Sequence, residues 1–261
     1  MNRRRFLTTS LSAAGAGALG AGVAAQGSRP APEYYELRQY HLRVTMRQRF
    51  SEHFRDEAVP AYNRAGISNV GVFTVGFGPD SPTFWVLLTH KTPQSVVELD
   101  AKLQADEQYR SSSFLKLPST DAGYVRIDSQ LMVAFDGIPV LEKPTGAAAG
   151  PGRVFELRTY ESHNKTAHRK KVEMFNQGEI DIFRRTGLTP VFFGSNIIGS
   201  RLPSLTYLLV FEDMAARERN WPQFVNHPDW KKLVATPGYS DNEIVTNIHS
   251  FILRPTPYSQ I

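Results

Sequence analysis

Residues 35–40 read Tyr-Glu-Leu-Arg-Gln-Tyr, and residues 155–160 read Phe-Glu-Leu-Arg-Thr-Tyr. The two hexapeptides agree at four of six positions, and each predicts a β-strand. A match this short can arise by chance in a chain of 261 residues, so the segments that follow each hexapeptide decide whether the chain contains a repeat.

A helix pattern follows each hexapeptide. Apolar residues recur at helical spacing over residues 46–65 and 167–186, and these stretches end at Gly66 and Gly187, where a helix C-cap belongs. Further strands are predicted at 70–75, 84–88 and 123–135 with a helix at 92–106, and again at 191–194, 206–210 and 243–253 with a helix at 214–225. Short helices begin near Glu107 and Pro228. Both halves therefore have the order β-α-β-β-α-β, which is the ferredoxin-like unit.

The predicted fold class is α+β, with tandem ferredoxin-like units that form an α+β barrel within one chain. Each unit alone leaves one face of its sheet uncovered, so two copies are expected to bury those faces against each other with the helices outside. The predicted segments are a leader at 1–25, a flexible stretch at 26–33, a first repeat at 34–135, a Pro/Gly/Ala-rich linker at 136–152, a second repeat at 153–254 and a tail at 255–261.

Residues 1–25 have the layout of an export signal. Arg3-Arg4-x-Phe6-Leu7 resembles the twin-arginine signal, and a weakly hydrophobic stretch of Ala, Gly and Leu follows it. Its glycines argue against a stable membrane span, although a retained anchor or a disordered tail is the alternative. We expect cleavage after Ala25, recognition by the twin-arginine export machinery and a periplasmic location.

Charge and cysteine content exclude several functions. The chain has 30 Lys and Arg against 25 Asp and Glu, but the leader carries three arginines and no acid, so the mature charge falls to about +2. Without a continuous basic stripe, nucleic acid is not expected as a partner. The absence of cysteine excludes thiol catalysis and Cys-type zinc sites.

The repeated strand-and-helix pattern, together with Asn-His-Pro-Asp-Trp at residues 226–230, resembles the NIPSNAP family of the dimeric α+β barrel superfamily. The first half departs from this pattern, with Asp-Glu-Gln-Tyr at 106–109. The resemblance implies the barrel fold without a settled enzymatic mechanism. Related barrels include cofactor-free monooxygenases, haem-handling proteins and small-molecule lyases.

Two charged rows are the leading candidates for a ligand site. Because side chains alternate along a strand, one face carries Glu36, Arg38 and Tyr40, and its counterpart carries Glu156, Arg158 and Tyr160. With Leu37 and Leu157 directed at the helices, both rows are expected to face the barrel interior. They would orient a ligand there, or else form a structural ladder of ion pairs.

The histidines are candidates for proton transfer because their usual pKa lies near neutrality. His41 follows the first strand, and His227 precedes Pro228, where capping of a helix is the simpler interpretation. His53 and Glu57 are four residues apart, but two ligands do not make a metal site, and a solvated helix face is preferred. His163 and His168 are expected at the surface, and the sequence indicates no partner for His90 or His249.

No motif for a nucleotide, a metal or a catalytic serine is present, and no cofactor is expected. The leading hypothesis is an exported protein that binds a small apolar or aromatic molecule, in the barrel or in the cleft under its helices. The alternatives are a cofactor-independent monooxygenase or isomerase that uses His41 or His227 as base, and a structural or interaction protein. Whether the protein is an enzyme stays open, and further homo-oligomerisation is possible but not required.

Overall fold

The computed structural model describes residues 30–77 and 81–261, so the predicted leader and its cleavage site lie outside the described residues. The first repeat contains β1 (Tyr34–Leu42), α1 (Arg47–His53), α2 (Val59–Arg64), β2 (Gly71–Phe77), β3 (Thr83–His90), α3 (Pro93–Ala105), α4 (Glu107–Arg110) and β4 (Tyr124–Ala134). The second contains β5 (Val154–Glu161), α5 (Lys165–Met174), α6 (Ile180–Arg185), β6 (Thr189–Ile198), β7 (Ser204–Phe211), α7 (Met214–Asn226), α8 (Pro228–Val234), α9 (Asp241–Ile244) and β8 (Asn247–Pro255).

The first helix pair of each repeat is joined by a π-helical turn. These turns, Phe54–Ala58 and Phe175–Glu179, occupy the same place in the two repeats. Gly66 and Gly187 follow the helices with φ values of 95° and 77°, a left-handed conformation that glycine adopts without steric cost. The glycine positions that ended the predicted helices therefore end the observed ones.

The eight strands close into one barrel in the order β1-β3-β2-β8-β5-β7-β6-β4. The two repeats meet where β2 pairs with β8 and β4 pairs with β6. All neighbouring strands are antiparallel, so β1 and β5 run in the same direction and end at the same end of the barrel. The predicted intrachain α+β barrel is confirmed, except that the last strand begins at Asn247 because residues 241–244 form α9.

Apolar side chains fill the inside of the barrel. The interior cluster includes Tyr35, Leu37, Phe155, Leu157 and Leu208, each at most 3% exposed. Two outer clusters lie between the barrel and the helices of each repeat, and aromatic rings dominate both. A barrel of eight strands has an interior just wide enough for its own side chains, so this packing leaves the interior without charged groups at its centre.

The segments predicted as linker and tail pack against the barrel. Leu141 and Ile261 both belong to the interior cluster, and the backbone N–H of Gln260 donates to the carbonyl of Val70. Together they cover the end of the barrel at which β1 begins. In the described parts of the chain, no helix has both the length and the apolarity needed to cross a bilayer.

Candidate functional site

The two charged rows face the helices, and the prediction that they face the barrel interior is wrong. Leu37 and Leu157 lie inside the barrel, whereas Tyr40 and Tyr160 belong to the outer clusters beneath the helices. The alternation along the strands was predicted correctly, but its direction was inverted. Between the barrel and the helices, long polar side chains keep their end groups near solvent, which a packed barrel centre does not allow.

In the first repeat, the row consists of a bidentate ion pair. Arg38 Nε and Nη2 lie 2.6 and 2.9 Å from the two carboxylate oxygens of Glu36. Ser129 donates to Glu36 Oε1 over 3.1 Å, and His90 Nε2 lies 3.6 Å from Oε2. Burial alone would raise the pKa of Glu36, but the nearby His90 and the hydrogen-bonded Arg38 guanidinium outweigh it and lower that pKa to about 2. Glu36 is therefore an ionised acceptor at neutral pH.

In the second repeat, the corresponding carboxylate is surrounded by donors. Glu156 is completely buried and accepts from Arg158 Nη1, from two nitrogens of Arg217 and from Ser250, all over 2.9–3.0 Å. Trp221 Nε1 donates to the same carboxylate over 2.8 Å, and its ring lies 4.6 Å from the Arg158 guanidinium carbon. The second row is thus covered by α7.

The first repeat contains a cleft at the equivalent place. This cleft has a volume of about 680 Å³ and opens between β1, β4, α3 and α4 with Arg38 among its walls. Four phenols line it, those of Tyr40, Tyr62, Tyr109 and Tyr124. Its other lining residues are Asp100, Leu103, Gln104, Glu107, Arg110, Ser111, Leu115, Lys116 and Ile127. We call it the Arg38 cleft.

The two repeats differ on the helix that lies above each row. The N-caps of α3 and α7 are Thr92 and Asp213, whose side chains accept the N–H three residues later in both helices. Asp100 and Trp221 each stand eight positions after their cap, so they occupy equivalent places on the two helices. Where the second repeat puts an indole over its arginine, the first repeat has a short exposed acid.

The Arg38 cleft presents a cation and phenols to a bound molecule. Arg38 Nη1 lies 3.3 Å from the Tyr62 hydroxyl, and a fifth of the Arg38 side chain is still exposed. Burial raises the pKa of Tyr62 and of Tyr109, so both phenols stay protonated at neutral pH. The arrangement suits stacking of a flat ring on a guanidinium and hydrogen bonding at its edge.

The histidine candidates lie outside this cleft. His41 Nε2 lies 2.8 Å from Asp128 Oδ2 at the end of β1, and His227 caps α8 by accepting the N–H of Asp229, as the capping interpretation predicted. At the same end of the barrel, His249 Nε2 lies 2.5 Å from Glu161 Oε1. Strand register makes Asp128 equivalent to His249, so the two repeats hold the same acid–base pair with its members exchanged.

Two predicted surface positions are buried instead. His53 is only 6% exposed, with Nδ1 2.6 Å from Glu57 and its ring stacked on Phe114, so the solvated helix face was wrong for this residue. His168 is 8% exposed and its Nε2 lies 2.8 Å from Ser195. Among residues 30–77 and 81–261, no group of three or more His, Asp or Glu side chains could hold a metal ion.

Sequence reasoning missed a buried charge cluster in the second repeat. Lys171 Nζ lies 3.1 Å from Glu179 and 3.0 Å from Asp241, and three aromatic rings surround it at 5.0–5.5 Å. The signal was available, because Lys171 stands four residues before Phe175 on the apolar stripe of its helix. The cleft-lining Asp100 was missed as well, although it differs from its counterpart Trp221 in both size and charge.

Comparison with known proteins agrees with the duplication. The NIPSNAP family model matches the chain twice, over residues 35–135 and 155–260. No curated protein matches the chain.

Several solved structures resemble the chain. A proposed monooxygenase from Lactobacillus acidophilus has 12% sequence identity and a TM-score of 0.55, over 86% of this chain and 94% of that one. A second proposed monooxygenase, from Fusobacterium nucleatum, has 8% sequence identity and a TM-score of 0.59, over 86% of this chain and 93% of that one. A NIPSNAP-like domain protein from Burkholderia xenovorans has 22% identity and a TM-score of 0.38, over 42% of this chain and 90% of its own. At these identities, the first two likenesses show the shared fold alone.

Proposed function

The chain is a member of the NIPSNAP family, and from that premise we propose that it binds a small apolar or aromatic molecule in the Arg38 cleft. The observation that carries the proposal is the asymmetry between the repeats. The same Glu-Arg-Tyr row is covered by Trp221 in one repeat and opens into a cleft of about 680 Å³ in the other. The volume lies within the range of about 300–1,000 Å³ that is typical of small-molecule sites.

The contacts within the cleft support a binding role for Arg38 beyond its ion pair. Arg38 keeps its bidentate bond to Glu36, which fixes the guanidinium plane without using all five of its N–H groups. Held in this way, the guanidinium lines the cleft as a rigid platform beside the phenols of Tyr62 and Tyr109. A flat ring on this platform would replace water on apolar surface and gain a cation–π contact.

Binding is tested with 8-anilinonaphthalene-1-sulfonate, an aromatic probe that fluoresces when it leaves water. The test variant is Asp100→Trp, which places the covering indole of the second repeat at the equivalent position of the first and leaves the Arg38–Glu36 pair intact. The matched control is Val97→Trp, because Val97 lies on the same helix and is 76% exposed.

We expect the wild-type chain and Val97→Trp to bind the probe with equal affinity, and Asp100→Trp to bind it at least tenfold more weakly. Circular dichroism checks that all three are folded. If a folded Asp100→Trp variant binds the probe like the wild type, the cleft is not the binding site and the proposal fails.

The two alternative functions stay predictions. An oxygenase or isomerase with His41 or His227 as base draws support from the fold shared with two proposed monooxygenases, but neither histidine lines the Arg38 cleft. A purely structural or interaction role draws support from the filled barrel interior. Binding of the fluorescent probe in the cleft would favour the ligand-binding function over the structural one.

The proposal includes export. The support is the twin-arginine pattern at Arg3-Arg4-x-Phe6-Leu7 and the small residues before Gln26. The mature protein would then bind its ligand in the periplasm.

A further inference from the structure

Three tyrosines line the Arg38 cleft at positions where the second repeat has side chains without a hydroxyl. In the first repeat these are Tyr62, Tyr109 and Tyr124, and the residues 121 positions later are Phe183, Trp230 and Val245. The second-repeat side chains all pack in the outer apolar cluster of their repeat. The repeated fold therefore does not require the three hydroxyls, and they occur in the repeat whose cleft is open.

From this difference we infer the class of the ligand: a flat aromatic molecule with a neutral oxygen acceptor, such as a ring carbonyl, which accepts from the hydroxyls of Tyr109 and Tyr124. This inference rests on the proposed binding function of the cleft. It makes these two tyrosines the residues that determine specificity, while Arg38 supplies the platform for the ring.

The three hydroxyls differ in what they bond to. The Tyr62 hydroxyl lies 3.3 Å from Arg38 Nη1 and accepts from it, so it helps to hold the guanidinium. The hydroxyls of Tyr109 and Tyr124 make no hydrogen bond to any residue in the part of the chain that the structure describes. Tyr124 is also 39% exposed. A phenol without a partner in its own chain can donate to water or to a ligand.

Both of these phenols keep their protons at neutral pH. Burial raises the pKa of Tyr109 above its usual value of 10, and the other groups that act on it are Tyr40, Arg38, Tyr124 and Asp100, which all line the cleft. Burial likewise raises the pKa of Tyr124. The Tyr109 and Tyr124 hydroxyls are therefore O–H donors, and the complementary group on a ligand is an acceptor.

The charges of the cleft favour a neutral acceptor over an anion. Arg38 is already held by the carboxylate of Glu36 through two hydrogen bonds, which offsets its positive charge. The remaining charged walls are two bases and two acids, namely Arg110 and Lys116 with Asp100 and Glu107. A carboxylate on the ligand would meet both signs of charge and gain little attraction. A carbonyl oxygen can accept from the two phenols without such a balance.

The inference is tested with three probes that share one three-ring frame: 9-fluorenone, fluorene and fluorene-9-carboxylate. Fluorenone carries a ring carbonyl, fluorene carries no acceptor, and the third probe is an anion. Each is titrated against wild-type protein carrying 8-anilinonaphthalene-1-sulfonate, and displacement of the dye is measured. We expect fluorenone to bind about tenfold more tightly than fluorene, in line with one to two neutral hydrogen bonds. Equal affinities for these two, or tightest binding of the carboxylate, would overturn the inference.

A second measurement assigns the preference to the two hydroxyls. The double variant Tyr109→Phe/Tyr124→Phe removes both hydroxyls and keeps both rings. We expect its affinity for fluorenone to fall to its affinity for fluorene, and the latter to equal that of the wild type. The control Tyr34→Phe removes a hydroxyl from β1 outside the cleft and should keep the tenfold preference. If a folded double variant still prefers fluorenone, the two tyrosines do not select the acceptor and the inference fails.

The two proposals fail in different ways. If dye binding is lost in Asp100→Trp but fluorenone and fluorene bind equally to the wild type, the cleft is a binding site and the ligand class is wrong. If Asp100→Trp leaves the binding of the dye and of the probes unchanged, the cleft is not the site, and both proposals are wrong.

Discussion

Replacing the buried Glu179 by glutamine should remove a pH-dependent part of the stability of this protein. The Glu179 carboxylate is 2% exposed, and its Oε2 lies 3.1 Å from Lys171 Nζ. Burial raises the pKa of Glu179 from its usual value of 4.5 to about 7, although the Lys171 ammonium opposes the rise. Glutamine keeps the shape of the side chain and cannot titrate.

The sign and the size of the effect follow from proton linkage. Below pH 4.5, both the folded and the unfolded chain hold the Glu179 proton. Between pH 4.5 and about 7, the folded state holds a proton that the unfolded chain has released, so the free energy of unfolding falls as pH rises. At about 1.4 kcal/mol per pH unit, the total loss is about 3 kcal/mol, and it levels off above pH 7.

The charge on Lys171 stays constant over this pH range. Burial alone would lower the pKa of Lys171, but the charges of Glu179 and Asp241 outweigh it and raise that pKa above its usual value. The change between pH 4.5 and 7 is therefore assigned to Glu179 within this cluster.

Urea unfolding at pH 5, 6, 7 and 8 provides the assay. The free energy of unfolding of the wild type, relative to that of Glu179→Gln, should decrease by about 3 kcal/mol from low to high pH. Glu173→Gln is the matched control, because Glu173 lies near the end of the preceding helix α5 and is exposed, and its curve should run parallel to that of the wild type. If the Glu179→Gln curve is also parallel to the wild-type curve, Glu179 does not titrate as described.

Three further outcomes are expected. Leu37→Ala empties part of the barrel interior and should lower the free energy of unfolding by about 2–5 kcal/mol, whereas Val44→Ala at a 78% exposed position should change it by less than about 0.5 kcal/mol; urea unfolding distinguishes them. Gly187→Ala adds a Cβ at a position with φ of 77°, 2.6 Å from Asn220 Nδ2, so this variant should have a lower melting temperature than the wild type. The control Gly178→Ala adds a Cβ that lies 3.5 Å from the nearest side chain, and its melting temperature should not fall. Replacing Arg3 and Arg4 together by lysine should abolish appearance of the protein in the periplasmic fraction, and unchanged export would contradict the twin-arginine interpretation.

The repeat was readable from the sequence because each signal had a local cause. A C-cap glycine marks a helix end through its own backbone conformation, and residues 66 and 187 have the same spacing from the helices that precede them in the two halves. The apolar spacing over residues 46–65 predicts a helix without reference to any neighbour. The π-helical turns could not be predicted in this way, since nothing in the spacing of Phe54 or Phe175 distinguishes a π-turn from an ordinary helical turn.

The sequence could not show whether the charged rows face the barrel interior or the helices. Alternation separates Glu36 from Leu37, but both faces of a barrel strand are covered, one by the opposite strands and one by the helices. Either face could then be the apolar one. The sizes of the side chains decided the matter, because the narrow barrel interior is filled by rings and leucines and leaves no space in which to solvate an ion pair.

By itself, the sequence determined the repeated order of strands and helices, the barrel that two such units must form, and the family to which the chain belongs, because these depend on periodicity, caps and motifs along the chain. Only the tertiary structure decided which of two equal-looking rows is open. Whether Arg38 and Arg158 differ depends on what the next helix places above them, and that contact joins residues about 60 positions apart. The acid at position 100 and the indole at position 221 therefore affect the two rows only because α3 and α7 pack against the barrel.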